Sequence, residues 1–380
     1  MHQGGIKMKK LLSFLLVIVM ICLSTSAVWG AERKPAKITL QSAIDTALKN
    51  DGSLKLLDDK IKLAERRYNM AVAAAKLAPD KTWSSDTQRI NNKLEELLYP
   101  LQKEADLNEF LWQKSNSEKK LRIDVTLLYF QILQSQRYID NQNNIVSRTK
   151  AEYESIQKKV KSGIVTETMA LSYEIAVKNA ETVLKGYERD LGNLKSSLNQ
   201  KMGNALDAEI LLTETKLPNE IVDIDSIEDL AVQTVTESHD VKKLENNKLL
   251  TKTRYDVLYR YSYIRPDECD TLEDSLLNSD YDIRDKKVAV ELKIRQDYNN
   301  ILNLKDDITI KQMDYDQKVK LAEISKKKYD LGMSTYLDYL SAQNDVGTAE
   351  VDLNNAQLEY YKAVQSFRMY IDPVELKTKQ

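Results

Sequence analysis

His239 and Cys269 are the only histidine and cysteine that follow residue 30 of this 380-residue chain. Nucleophilic catalysis asks for a serine or cysteine beside a base, and a structural or catalytic metal asks for three or four converging donors. One histidine, read at the start of a helix rather than in a turn, cannot supply either set. The carboxylates are numerous but lie on charged helix faces, where solvation is their ordinary role. No glycine-rich loop that could cradle a phosphate or a coenzyme is present. The sequence therefore points to a non-enzymatic protein with no cofactor and no metal. A net charge of -2 gives no basic stripe for nucleic acid.

The residues with the most specific spacing are two glycine turns. One reads Val160-Lys161-Ser162-Gly163-Ile164-Val165-Thr166, and the other reads Tyr329-Asp330-Leu331-Gly332-Met333-Ser334-Thr335. A glycine placed there ends one helix in the left-handed region, and Thr166, or Ser334 or Thr335, caps the next. Because both turns end very long rods and carry small residues, they suit end-on docking of a partner.

Those turns belong to a chain whose mature part is written twice. At an offset of 187, Ile44, Leu48, Leu54, Leu57, Leu63, Arg67, Tyr68 and Pro79 fall on Ala231, Val235, Val241, Leu244, Leu250, Arg254, Tyr255 and Pro266. At an offset of 169, Tyr129, Ile132, Leu133 and Gly163 fall on Tyr298, Ile301, Leu302 and Gly332. Because the second offset is the smaller, the first copy holds an extra segment between its proline and its tyrosine. Duplication of this kind predicts two equivalent units packed side by side.

Composition and period set the fold class. Charged residues reach 30%, with 10 Gly and 6 Pro, which describes long helices. After Gly163 the stripe Tyr173, Val177, Ala180, Leu184, Tyr187, Leu191, Leu194, Leu198 and Met202 runs at a mean spacing of about 3.6. After Gly332, Ala342, Val346, Ala349, Leu353, Ala356, Tyr360, Ala363, Phe367 and Ile371 occupy the same positions. Long helices are predicted before each glycine, over about Ser117–Lys161 and about Arg284–Leu331. Shorter ones are predicted near residues 39–49, 53–79, 227–236 and 241–264. Glu174, Lys178, Glu181, Lys185 and Glu188 offer i,i+4 ion pairs on the outer face. Hairpins so long and thin cannot bury their stripes alone, so self-association into a ring or bundle is expected.

Lys7, Lys9 and Lys10 precede the apolar run Leu11 to Leu23, and Val28-Trp29-Gly30 follows it, the pattern of a cleaved signal peptide. Removal of residues 1–30 takes three positive charges, moving the net charge from -2 to -5. The predicted order is signal peptide 1–30, first helical repeat 31–212, linker 213–225, second helical repeat 226–372 and polar tail 373–380.

With these residues in place, the chain resembles the TolC-like outer-membrane efflux protein family. The resemblance rests on Ile38-Thr39-Leu40-Gln41-Ser42-Ala43-Ile44, Ala47-Leu48-Lys49-Asn50, the tip Tyr329 to Gly332, and Ser334, Leu337-Asp338-Tyr339-Leu340 and Ala342-Gln343. It spans about residues 38–372. It implies a homotrimeric tube in the cell envelope, a conduit that serves an inner-membrane ABC- or RND-type exporter. A membrane-fusion (adaptor) protein would dock on Gly163, Val165, Thr166, Gly332, Ser334 and Thr335. Asp338 matches one aspartate of the family's tip constriction, whereas Ser341 and Met169 stand where further acidic residues would complete it.

One departure is large. The family places transmembrane strands between each proline and the next long helix, and a barrel strand needs about 9–11 alternating residues. Pro266 to Asp285 is acidic without alternation, and Ile90, Leu94, Leu97, Leu98 and Leu101 follow helical spacing. The expected fold is all-α, two tandem copies of long antiparallel hairpins with no β-barrel. The competing reading is a structural or adhesive helical rod of the envelope, which accounts for the helices but not for the paired glycine tips.

Overall fold

A computed structural model describes residues 36–80, 82–218, 222, 224 and 226–371. The predicted signal peptide and polar tail lie outside the described residues.

The cap chemistry repeats with the sequence. The Thr39 hydroxyl accepts from the Ser42 amide at 3.2 Å and opens α1, Leu40–Asn50. Ser226, the equivalent of Thr39 in the second copy, does the same for the Asp229 amide at 3.2 Å and opens α6, Ile227–Glu237. Asp51 then caps α2, Gly52–Leu77, through the Leu54 amide at 2.8 Å, and Ser238 stands at the same break before α7, His239–Tyr261.

Four helices build two hairpins. The first consists of α4, Tyr99–Lys161, and α5, Glu167–Met202; the second consists of α8, Glu268–Asp330, and α9, Tyr336–Ile371. Each boundary of the first hairpin maps onto its counterpart in the second at the offset of 169. The arms α4 and α8 each have 63 residues, a rod of roughly 95 Å. They begin at Tyr99 and Glu268, well before the predicted starts at Ser117 and Arg284. The reason is that the polar and acidic stretches read as connections carry no breaker, Pro100 sitting at a tolerated first-turn position.

Beyond the tips α5 packs on α4, α4 on α9 and α9 on α8, so the four helices form one layer in the order α5-α4-α9-α8. That order explains a difference between the twin stripes. Neither contains an exposed residue, but α9 has neighbours on two sides and buries Leu358, Tyr361 and Val364 as well. In α5, at the edge, Leu171, Ile175 and Val183 stay exposed. In place of the expected i,i+4 pairs, Glu181 meets Lys150 of α4 across the hairpin at 2.8 Å and Lys178 of its own helix, three residues away, at 3.6 Å.

The other half of each arm packs on α2 or α7. The extra segment of the first copy forms a short 3-10 turn, Ala78–Asp80, and helix α3, Asp86–Leu97. Leu94 and Leu98 of this segment bury against Val257 of α7, so the insertion ties the two copies together. Asn92 donates to the Ala78 carbonyl at 2.7 Å, and Arg89 lies 4.4 Å over the Tyr263 ring.

The all-α fold without a barrel is borne out, with one short addition. Residues Ala36–Ile38 (β1) and Ile210–Leu212 (β2) pair in parallel as a two-stranded ribbon against α4. The Tyr129 hydroxyl lies 2.9 Å from the Ile38 carbonyl and 2.7 Å from that of Thr213. Among the described residues these are the only strands, and they form no barrel. No described helix is long and apolar enough to cross a membrane.

Candidate functional site

Both tips are built by the same local bonds. Gly163 sits at φ 71, its amide donates to Val160 at 2.9 Å, and the Ile164 amide donates to Lys159 at 2.9 Å. Gly332 sits at φ 72, with Gly332 donating to Tyr329 and Met333 to Lys328, each at 2.8 Å. This six-to-one and five-to-two pairing ends a helix with glycine in the left-handed region. A Cβ added at either glycine would meet no atom within 4 Å, so the glycines are required by the backbone rather than by crowding.

The restarts differ. Thr166 caps α5 by accepting from the Met169 amide at 3.3 Å. At the second tip the cap is Thr335 and not Ser334, whose hydroxyl is buried without a partner among the described residues. Thr335 accepts from the Asp338 amide at 3.2 Å, and Asp338 in turn accepts from the Thr335 hydroxyl at 2.7 Å and amide at 2.9 Å. The Thr335 hydroxyl and amide hold the Asp338 carboxyl below the usual aspartate range. Asp338, read from the resemblance as a constriction residue, is thus one half of a reciprocal cap. Met169 replaces it in the first copy and packs with the apolar tip cluster instead.

A cluster of tyrosines sets the two tips side by side. Tyr173 of the first hairpin stacks near Tyr336 of the second at 6.3 Å between centroids. Tyr329 lies 5.8 Å from Tyr336 and 6.2 Å from Tyr339. Within this cluster two bonds cross between the hairpins: Tyr329 donates to Glu152 at 2.6 Å, and the Tyr336 and Thr149 hydroxyls lie 3.0 Å apart. Burial and the neighbouring Glu152 push the Tyr329 hydroxyl well above the usual tyrosine range. Val165 is half-buried against this cluster, so it holds the tip rather than facing outward.

Gly163, Thr166, Gly332 and Thr335 are exposed at the tips, and beside them stand three apolar residues that the sequence did not single out. Ile164, Leu331 and Met333 are 71%, 74% and 74% exposed. An apolar residue after the glycine usually folds back onto the third residue from the helix end. Here that residue is Lys159 or Lys328, so Ile164 and Met333 have no apolar partner and project from the end. The signal was an apolar residue after both glycines.

The polar candidates lie elsewhere. Cys269 is buried at the start of α8. His239 stacks on Trp112 of α4, with centroids 3.8 Å apart and planes within 9°, and its Nε2 lies 3.2 Å from Glu109. It is a contact between the two copies.

Comparison with known proteins places this geometry. Residues 268–371, the whole of the second hairpin, match the model of the outer membrane efflux protein family. No curated protein sequence matches the chain. The Campylobacter jejuni CmeC outer membrane channel superposes with a TM-score of 0.64 at 12% identity, covering 91% of this chain and 90% of that one. The outer membrane protein VceC of Vibrio cholerae gives 0.60 at 12% identity over 87% and 95%. A membrane protein from Pseudomonas aeruginosa gives 0.63 at 13% identity over 87% and 90%. At such identities the superpositions establish the fold. The likeness to TolC-like efflux proteins therefore holds for the fold over 87% to 91% of the chain, and for sequence in the second hairpin. The matched family is one of efflux channels, not of enzymes.

Proposed function

We propose that this chain is the extracytoplasmic conduit of an export system, and that its paired tips receive the hairpin of a membrane-fusion adaptor working with an inner-membrane ABC- or RND-type exporter. The observation that carries the reading is the joint end of the two hairpins. Glycine turns of one geometry are bound side by side by tyrosines, and each presents exposed apolar residues beyond its helix. The repeats 31–212 and 226–372 act as two wall segments, and the conduit works passively, opening by small helix displacements at the tips.

Closure of the wall supports a homotrimer. The layer α5-α4-α9-α8 ends in two helices with no neighbour on the outer side: α5 exposes Leu171 and Ile175, and α8 exposes Ile310, Met313, Leu321 and Ile324. The α8 residues are spaced 3, 8 and 3 apart, one face of a helix. Packing α5 of one copy on α8 of the next covers both faces and closes a ring. The location that fits is the cell envelope, on the periplasmic side of an outer membrane.

Replacing Gly163 and Gly332 together by valine strains both turns without filling any space. We expect loss of adaptor pull-down with helicity by circular dichroism unchanged; retained pull-down sinks the docking reading. Light scattering on the mature chain should give three times the chain mass, and a monomer with and without adaptor removes the tube.

A further inference from the structure

We infer that the tips select a partner whose docking end is acidic, a conclusion that rests on the docking reading above and adds the sign of the charge. Lys158, Lys159 and Lys161 stand in the last turn of α4, and Lys326, Lys327 and Lys328 in the last turns of α8. All six are exposed, and none pairs with a carboxylate among the described residues, although ion pairs are common along the rest of the rods. Within 158–168 and 326–338 these six lysines face three carboxylates, Glu167, Asp330 and Asp338, a local charge of +3. Asp338 is already occupied by Thr335. The mature chain as a whole carries -5, so the tips reverse the sign of the molecule.

Lysines in a last helical turn also favour the helix macrodipole. That effect falls off within the last turn, where Lys327 and Lys328 already stand in α8, and gives no reason for Lys326 beside them. The six lysines directly precede the exposed Ile164, Leu331 and Met333 in the chain, which gives each tip a basic rim next to an apolar end. Such a rim steers an oppositely charged partner and repels a like-charged one, while the apolar end is indifferent to sign. The matching surface is the turn of a helical hairpin with exposed apolar residues flanked by Asp or Glu.

The test uses the full mature chain and three disulfide-closed synthetic helical hairpins that share one apolar turn and differ only in flanking residues, all Glu, all Gln or all Lys. Binding is read by fluorescence anisotropy at about 50 mM and about 500 mM salt, where screening lengths differ severalfold. The Glu hairpin should bind at least about tenfold more tightly than the Gln hairpin at low salt, the Lys hairpin most weakly, and high salt should erase the order. Changing all six lysines to glutamine should remove the preference and leave Gln-hairpin binding in place. Equal binding of the Glu and Gln hairpins overturns the charge inference and leaves docking standing. Failure of all three hairpins overturns both. A preference that survives in the six-glutamine chain assigns it to other residues and also overturns the inference.

Discussion

Thr335 and Asp338 hold each other at the start of α9 through three hydrogen bonds of 2.7 to 3.2 Å, a pairing with no counterpart at the first tip, where Met169 replaces the aspartate. The twin tips thus share a helix ending but not a helix beginning. The second restart depends on an ionised carboxylate and the first does not.

That dependence has a sign. A carboxyl whose folded pKa is depressed contributes stability above its unfolded value and loses it as pH falls through the folded one. Asp338 should titrate below a free aspartate, read by carbon-13 chemical shift. Amide exchange in the first turn of α9 should rise below pH of about 4, while the first turn of α5 stays unchanged. Equal acid sensitivity of both turns would contradict the cap.

Tyr129→Phe should cost about 1–3 kcal/mol, because the Thr213 carbonyl loses its buried donor. Thermal unfolding checks the loss. The equivalent Tyr298 packs near Phe367 at 6.4 Å, and Tyr298→Phe should cost less. A larger loss at Tyr298 would show that the ribbon is not held by this hydroxyl.

Gly203 ends α5 at φ 70, and a Cβ there would lie 2.9 Å from the Asn50 Cβ, whose amide donates to the Met202 carbonyl at 2.7 Å. Gly163→Ala and Gly332→Ala should each cost about 1–2 kcal/mol from backbone strain alone. Gly203→Ala adds the clash and should lower the melting temperature further than either. Equal losses at the three sites would remove the role of Asn50.

The tyrosines between helices predict alkaline lability. Burial pushes Tyr138 up to about 12 and raises Tyr173, Tyr329 and Tyr336. An acid whose folded pKa is raised stabilises fully below the unfolded value near 10 and loses that contribution as pH climbs above it. Stability should be flat from neutral pH to about 10 and fall towards 12, with tyrosinate absorbance appearing together with unfolding. Absorbance that rises with a midpoint near 10 in the folded protein would show these hydroxyls to be open to water.

Sequence alone determined the duplication, the helical class, both glycine turns and the two apolar stripes, because each is written in a local period or a residue type with one conformational preference. It also determined that Pro266 to Asp285 could not form barrel strands. Only the tertiary structure decided that α4 and α9 are inner helices while α5 and α8 are edges, since twin stripes of one period carry no label of their neighbours. Tertiary structure likewise turned the extra segment of the first copy into α3, packed across the repeats on Val257. It turned Val165 inward and left Ile164 and Met333 outward, although all three follow closely on a glycine. Direction at a tip depends on which surfaces meet across the two hairpins. Those contacts join residues far apart in the chain, as in the bond between Glu152 and Tyr329, where sequence separation is 177.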